Sequence, residues 1–358
     1  KGGGNVFNNT ASGNGALYSN TLADYNTALG HNSMLFNSTG GSNTAVGSYS
    51  MYYSTTGNDY NVAMGRHAMR GPTTGFTNSD YNIAVGAYSL YSINGGDYNT
   101  AIGYRSLYSN ATGANNIATG YYTMYGLTSG NYNTASGYYT MRYATTGNDY
   151  NIAMGRSAMR GPTTGFTNTD YNIAIGDYAL YSINGGDHNI AVGKNALYSN
   201  ATGANNIATG NYSLNFNSTG NYNTATGYYT MFYATTLNDY NIAIGRNAMK
   251  GTVAYTATDY NTALGASSMF SINGGDYNAA IGRNSLYGIT SGIGNIGMGS
   301  YSGDNITTGS YNIMLGYDID APTASASNQL NIGNLIYGTD LDGRDGTLSS
   351  GNIGIGTK

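Results

Sequence analysis

The amino-acid sequence predicts an all-β fold, a parallel β-solenoid or β-roll of about 18 coils of 17 to 21 residues. Three observations predict it. A five-residue unit, Asn-X-Ala-X-Gly, recurs through the chain; its glycines follow one another at a near-constant spacing of 17; and the composition is that of turns, with 55 glycines and 38 tyrosines in 358 residues and only 8% charged side chains. A 17-residue unit is too short for a domain and too regular for a linker, which leaves one coil of a stacked structure.

The motif reads Asn26-Thr27-Ala28-Leu29-Gly30 in an early coil and Asn151-Ile152-Ala153-Met154-Gly155 in a later one. One step in five is 18 residues and one is 20 or 21, so that Gly65, Gly155 and Gly245 are each 90 residues apart and mark a superrepeat. The residues Asn61, Gly65 and Met69, and their equivalents Asn151, Gly155, Met159 and Asn241, Gly245, Met249, are read as a structural ladder. Asn closes a turn on its own backbone, and stacked amides bond one another along the axis. The glycine takes a conformation that a Cβ would hinder. Four residues later comes a Leu or Met preceded by Ala, Ser or Thr, a large side chain beside a small one, as stacked interior layers require.

Period-two alternation sends the two X residues to the face opposite Ala, and neither face of the strand is polar. A strand apolar on both sides needs cover on both sides, so a second chain or wall is expected on the outer face. At about 4.8 Å per coil, residues 1–316 are expected to form a rod about 85 Å long. Residues 317–358 are expected to form a C-terminal transition segment of shorter β repeats leading to a downstream domain. The first residue, Lys1, is not followed by a leader, so a signal peptide or anchor is expected upstream.

Composition narrows the function classes. The net charge is -4 and no run of basic residues could neutralise a phosphate backbone, so no nucleic-acid partner is expected. Apolar runs stop at four or five residues, far short of a span, so no direct membrane insertion is expected. Without Cys there are no disulfides and no thiolate zinc sites. Glu is absent and Asp recurs coil by coil rather than clustering once, so an enzyme is not expected. His31, His67 and His188 hold different places in their coils and pair with no recurring Ser or Asp. No cofactor is expected. Calcium is the one ion the sequence suggests, at Asp340, Asp342 and Asp345, whose spacing resembles a calcium loop without its distal bidentate Glu.

The run Gly103-Tyr-Arg-Ser-Leu-Tyr-Ser-Asn-Ala-Thr-Gly113, with the motif before it, resembles the head repeats of trimeric autotransporter adhesins and, more closely, the repeats of phage tail fibres and bacterial surface fibres. The resemblance covers residues 5 to 316 and implies a left-handed parallel β-roll associated side by side as a homotrimer. The 17-residue period and the long fifth coil depart from the shorter adhesin repeat. The tail from Asn328 is similar to segments that precede a self-cleaving intramolecular chaperone. The function implied is a structural and adhesive segment of an extracellular fibre, on a cell surface or a virion, with a cell-surface glycan or protein as receptor.

Recognition is expected on the long coils, whose insertions from Arg70 to Phe76, Arg160 to Phe166 and Lys250 to Tyr255 each carry a basic and an aromatic residue and should protrude along one edge. The same insertions could be bulges that set register between chains. Tyrosines after the Leu/Met position, such as Tyr91, Tyr108 and Tyr287, should form a stripe suited to sugar rings or to covering the coil edge. Two other readings remain open. A fibre-borne polysaccharide depolymerase would use Asp pairs as acid and base. An ice-binding solenoid would need an exposed threonine file, and the residues after the motif Asn alternate among Thr27, Val62, Ile83 and Thr100.

Overall fold

The structure, a computed structural model, describes residues 8–255, 257–339 and 352–355. The chain divides into two units, residues 1–185 and 186–358. Both are β-solenoids, and there is no helix among the described residues. The first unit stacks ten three-residue strands, from Thr10–Ser12 to Ile173–Ile175. The second stacks nine, from Ile190–Val192 to Leu330–Ile332. Each strand up to Ala279–Ile281 is the X-Ala-X of the motif, and the last three stacked strands have Gly297, Met314 and Asn331 at the Ala position. Within each unit neighbouring strands pair in parallel with these central residues in register, as in Ala63 on Ala84 and Ala84 on Ala101. The first of these pairs spans a 21-residue step and the second a 17-residue step, so the extra residues of a long coil never enter the strand register.

The strands are short because Asn bounds one end and Gly the other. Asn99 shows what the amide does. Its N–H donates to Asn82 Oδ1 at 2.8 Å, and its Nδ2 donates to the Gly113 carbonyl in the next coil at 2.8 Å. Its own Oδ1 accepts the Asn116 N–H at 3.1 Å and Asn116 Nδ2 at 3.1 Å. The side chain thus stands in for main chain where the backbone bends, and it is fully buried. Gly65 has φ +135, and a Cβ there would lie 2.7 Å from the Gly86 carbonyl carbon of the next coil. Conformation and close approach both require glycine.

After the glycine the backbone alternates. In the coil that follows Gly103, Arg105 (φ 54) and Leu107 (φ 47) are left-handed, while Ser106 between them donates back to the Gly103 carbonyl. Arg105 N–H therefore points to the preceding coil, bonding the Ala87 carbonyl at 3.1 Å, and Leu107 N–H points to the following coil, bonding the Thr123 carbonyl at 3.0 Å. Left-handed backbone costs a non-glycine residue about 1 kcal/mol or more. Here each such residue is held by a bond to a neighbouring coil, so the conformation depends on stacking. The interior is filled by the motif Ala, by the small residue that precedes Leu or Met, and by the Leu or Met itself, as at Ala101, Ser106 and Leu107.

The ladder of the second unit runs one coil beyond Gly316. In its last coil Gln329 replaces the motif Asn, its N–H donating to Asn312 Oδ1 at 2.9 Å, and Asn331 replaces Ala, buried and bonded to the Asp320 carbonyl. Those two substitutions hid the coil from a search for the motif, and it lies inside the segment expected to be a transition. The parallel ladder then gives way to antiparallel pairing. Leu330–Ile332 pairs with Ile336–Thr339, and that strand pairs with Asn352–Ile355.

Replacing Asn99 by Ala leaves the Asn116 N–H without its partner in the interior and takes from the Gly113 carbonyl one of its two side-chain donors, the other being Asn110. The expected cost is about 2–4 kcal/mol, read as a lowered denaturant midpoint with an unchanged slope, whereas Thr112→Ala, at an exposed turn position, is expected to cost well under 1 kcal/mol.

Candidate functional site

Two corners recur along the coils, one where the chain enters the strand, which often bears aspartate, and an aromatic one where it leaves, which in some coils bears a cation. At the first, the residue two before the motif Asn is often Asp. Asp80 Oδ1 accepts the Asp59 N–H at 2.8 Å, and Asp97 Oδ1 accepts the Asp80 N–H at 2.9 Å. The aspartates form a file of like charges, each tied to the coil before it. Next to them, the tyrosines that immediately precede the motif Asn stack as parallel rings. Tyr60, Tyr81 and Tyr98 are separated by 5.0 Å with interplanar angles of 4° and 1°. About half of each such side chain is exposed, yet the ring faces cover one another, so what the file displays is ring edges and hydroxyls.

The strand between the corners turns its X residues outward. Ile83 is 41% and Ile117 46% exposed, while every motif Ala beside them is buried. This apolar face, read from the alternation in the sequence, is uncovered within the chain.

At the second corner, the residues one, two and five places after the glycine are mostly tyrosine and arginine. Arg70 lies over the Tyr53 ring at 4.7 Å and donates to the Tyr91 hydroxyl at 2.8 Å. Arg105 is ringed by Tyr88, Tyr104, Tyr108 and Tyr122 and donates to the Tyr122 hydroxyl at 2.7 Å. Arg142 lies 4.2 Å from the Tyr139 centroid, and Arg160 donates to the Tyr181 hydroxyl. The Nε atoms of all four are buried without a hydrogen-bond partner. Arg156 forms an ion pair with Asp177, at 3.7 Å. His67, stacked between Tyr49 and Tyr88, is held below the ordinary imidazole value by burial and then by Arg66 and Arg70.

The long-coil insertions do not present their aromatic residues. Phe76, Phe166 and Tyr255 are buried at 0 to 1% exposure, which corrects the expectation of protruding aromatic loops. Each ring drops into the interior where the preceding coil has a small residue, and each forms a parallel bridge to it: Ser54 with Phe76, Ala144 with Phe166, Ala234 with Tyr255. The Tyr255 hydroxyl, whose pKa burial pushes far up, donates to the Met249 carbonyl at 2.6 Å. A turn closed by Gly75 N–H on the Pro72 carbonyl reverses the chain, leaving Thr73 and Thr74 at the surface. Arg70, Arg160 and Lys250 stay on the aromatic corner, Lys250 lying 5.4 Å from the Tyr229 centroid.

The ladder residues Asn61, Met69, Asn151, Met159, Asn241 and Met249 are all fully buried, and Gly65, Gly155 and Gly245 have φ between +125 and +137. The tyrosine stripe forms as expected, with Tyr91 and Tyr108 stacked at 4.9 Å and Phe270 and Tyr287 at 5.0 Å. Its ring faces are covered by its own neighbours. Asp340, Asp342 and Asp345 lie outside the described residues. The sequence reading missed the segregation of charge. The ten described cations all fall one, two or five places after a motif glycine, a pattern visible only when residues are aligned by coil.

A scan against protein-family models, a search of curated proteins and a search of solved structures each returned no match.

Carboxyl groups crowded by burial and by each other respond to pH. Burial and then neighbouring aspartates push Asp80 and Asp259 above the ordinary carboxylate value, although a backbone N–H works against the shift. Asp304 is pushed up to about 6 by burial, by a hydrogen bond with Asp320 and by the charges of Asp320 and Asp318. A raised native pKa means that the native state holds its proton more tightly than the unfolded chain, so the stabilisation is full below the unfolded value near 4 and is lost as pH rises through about 6. Thermal melts of Asp304→Asn against the parent chain are expected to show the variant gaining relative stability between about pH 4 and pH 7. A constant difference would mean that Asp304 does not titrate in that window.

Proposed function

We propose that the chain is a structural and adhesive segment of an extracellular fibre, carried on a cell surface or a virion, that displays a binding surface to host cells, glycans or other surfaces. One observation carries the reading: a single cross-section is repeated coil after coil, with its interior complete and its outer strand face apolar. The same interior serves every coil, while the surface residues vary, which is how a spacer bearing recognition sites is built. The exposed X file, with Ile83, Ile117 and Ile152 about 40% or more accessible, calls for cover by further copies of the chain. The resemblance of the repeats to adhesin heads and tail fibres points to three chains side by side. A cell-surface glycan or protein is the receptor class that goes with this reading.

Light scattering tests the assembly. The expected mass is that of three chains, and the double substitution Ile117→Lys with Ile152→Lys is expected to lower it to one without unfolding the coils, as followed by circular dichroism. A parent chain that is a stable monomer would overturn the side-by-side trimer, and a parent chain that binds no cell or glycan surface would overturn the adhesive role.

A further inference from the structure

We infer that the arginine and tyrosine corner of the first unit binds an acidic polysaccharide laid along the coils, with carboxylate groups seated at Arg70, Arg105, Arg142 and Arg160. The inference rests on the adhesive reading and gives it a ligand class and a site.

The first observation is a charge imbalance built into the coil. In residues 8–185 six arginines, Arg66, Arg70, Arg105, Arg142, Arg156 and Arg160, stand after motif glycines, against Asp177 alone. The unit's other six aspartates all stand at the opposite end of the strand, in the acidic file. Arg70, Arg105, Arg142 and Arg160 have no carboxylate within 4.0 Å among the described residues, since Asp177 serves Arg156. Phenol rings hold these guanidinium groups in place without neutralising them. A ring face attracts a cation by about 0.5–2 kcal/mol, and tyrosine hydroxyls accept one bond each from Arg70 and Arg105 and two from Arg160, so the remaining Nη donors and the full charge are left for an anion.

The second is a place to sit. Beside Arg160 there is an open depression of about 300 Å³ lined by Arg160, Gly161, Pro162, Thr163, Tyr181 and Ser182. It offers a guanidinium and hydroxyl groups beside the flat edge of a ring, a combination that suits a sugar bearing a carboxylate.

The third is spacing. Arg70, Arg105 and Arg142 lie on alternate coils, and Arg160 lies one coil after Arg142. With about 4.8 Å per coil, Arg70, Arg105 and Arg142 are roughly 10 Å apart along the axis, and Arg160, about 5 Å beyond Arg142, faces the same carboxylate as Arg142. A nucleic-acid strand carries a phosphate about every 3.4 Å, which this corner would leave mostly unmatched. A glycan in which uronic acids alternate with neutral sugars presents one carboxylate per disaccharide, about two coil heights. The acidic file at the other end of the strand repels such a polymer and so selects the corner on which it lies.

The experiment measures binding of the full chain to sodium hyaluronate, with dextran as the neutral polymer and a single-stranded oligonucleotide as the other polyanion. Hyaluronate is expected to bind, to bind more weakly as salt is raised, and to be favoured over both controls. Arg105→Gln, Arg142→Gln and Arg160→Gln combined are expected to weaken it at least about tenfold, while the three Arg→Lys changes, which keep the charge but lose the planar fork, are expected to weaken it less. The melting midpoint of each variant shows that the coils remain folded. Equal binding of dextran, tighter binding of the oligonucleotide, or unchanged affinity in a folded glutamine variant would overturn the inference. Those results leave the fibre reading standing if the chain still forms its trimer and still binds cells. Hyaluronate binding by a chain that neither assembles nor binds cells would overturn the fibre reading alone.

Discussion

The amide of the motif asparagine is the constraint on which the rest depends. Between Asp and the strand the chain bends through a left-handed residue, and there the main chain cannot continue its ladder to the next coil. The side chain takes over, its Oδ1 accepting the next coil's N–H and its Nδ2 donating to that coil's carbonyl, as Asn99 does with Asn116 and Gly113. Because one end of the strand is fixed in this way and the other is fixed by a glycine packed on glycine, the three residues between them hold the same register through steps of 17, 18 and 21. Irregularity is confined to the remainder of the coil, where insertions can be absorbed.

Much of this was legible in the residues themselves. Asn, Gly and the Leu or Met position recur too regularly to serve anything but the stack, and the alternation around Ala marked an apolar outer face that the structure leaves exposed. The long coils were misread for a physical reason. A segment such as Gly71-Pro72-Thr73-Thr74-Gly75-Phe76 looks like a surface loop, because turn residues carry no information on where the next aromatic points. The missing clue lay in the coil before: Ser54, Ala144 and Ala234 are small where other coils carry Ile93, Leu127 or Ile272, and the space so left is filled by Phe76, Phe166 and Tyr255. The nineteenth strand escaped for a similar reason, since Gln329 and Asn331 keep the hydrogen bonds of the motif without its letters.

Charge followed a rule that neither composition nor local clustering reveals. A net charge of -4 spread over 358 residues looks featureless, yet all ten described cations stand on one corner of the coils and ten aspartates on the other. In a solenoid a residue's neighbours are one period away, so arginines 35 or 37 positions apart, such as Arg70, Arg105 and Arg142, belong to one surface. The same geometry explains why aromatic side chains here act on each other before they act on anything else. Rings in equivalent positions meet face to face, and their outward message is carried by hydroxyl groups and by the cations they hold.

The constancy of strand register across a whole superrepeat has a consequence for how such a chain can change over generations. Five coils return the backbone to the same state, with each buried ring above its small partner. Gain or loss of one ninety-residue block by recombination would therefore rejoin matching surfaces and leave no misfit at the seam. Reach can be inherited as a copy number, while the side chains that meet the outside world drift independently within each copy.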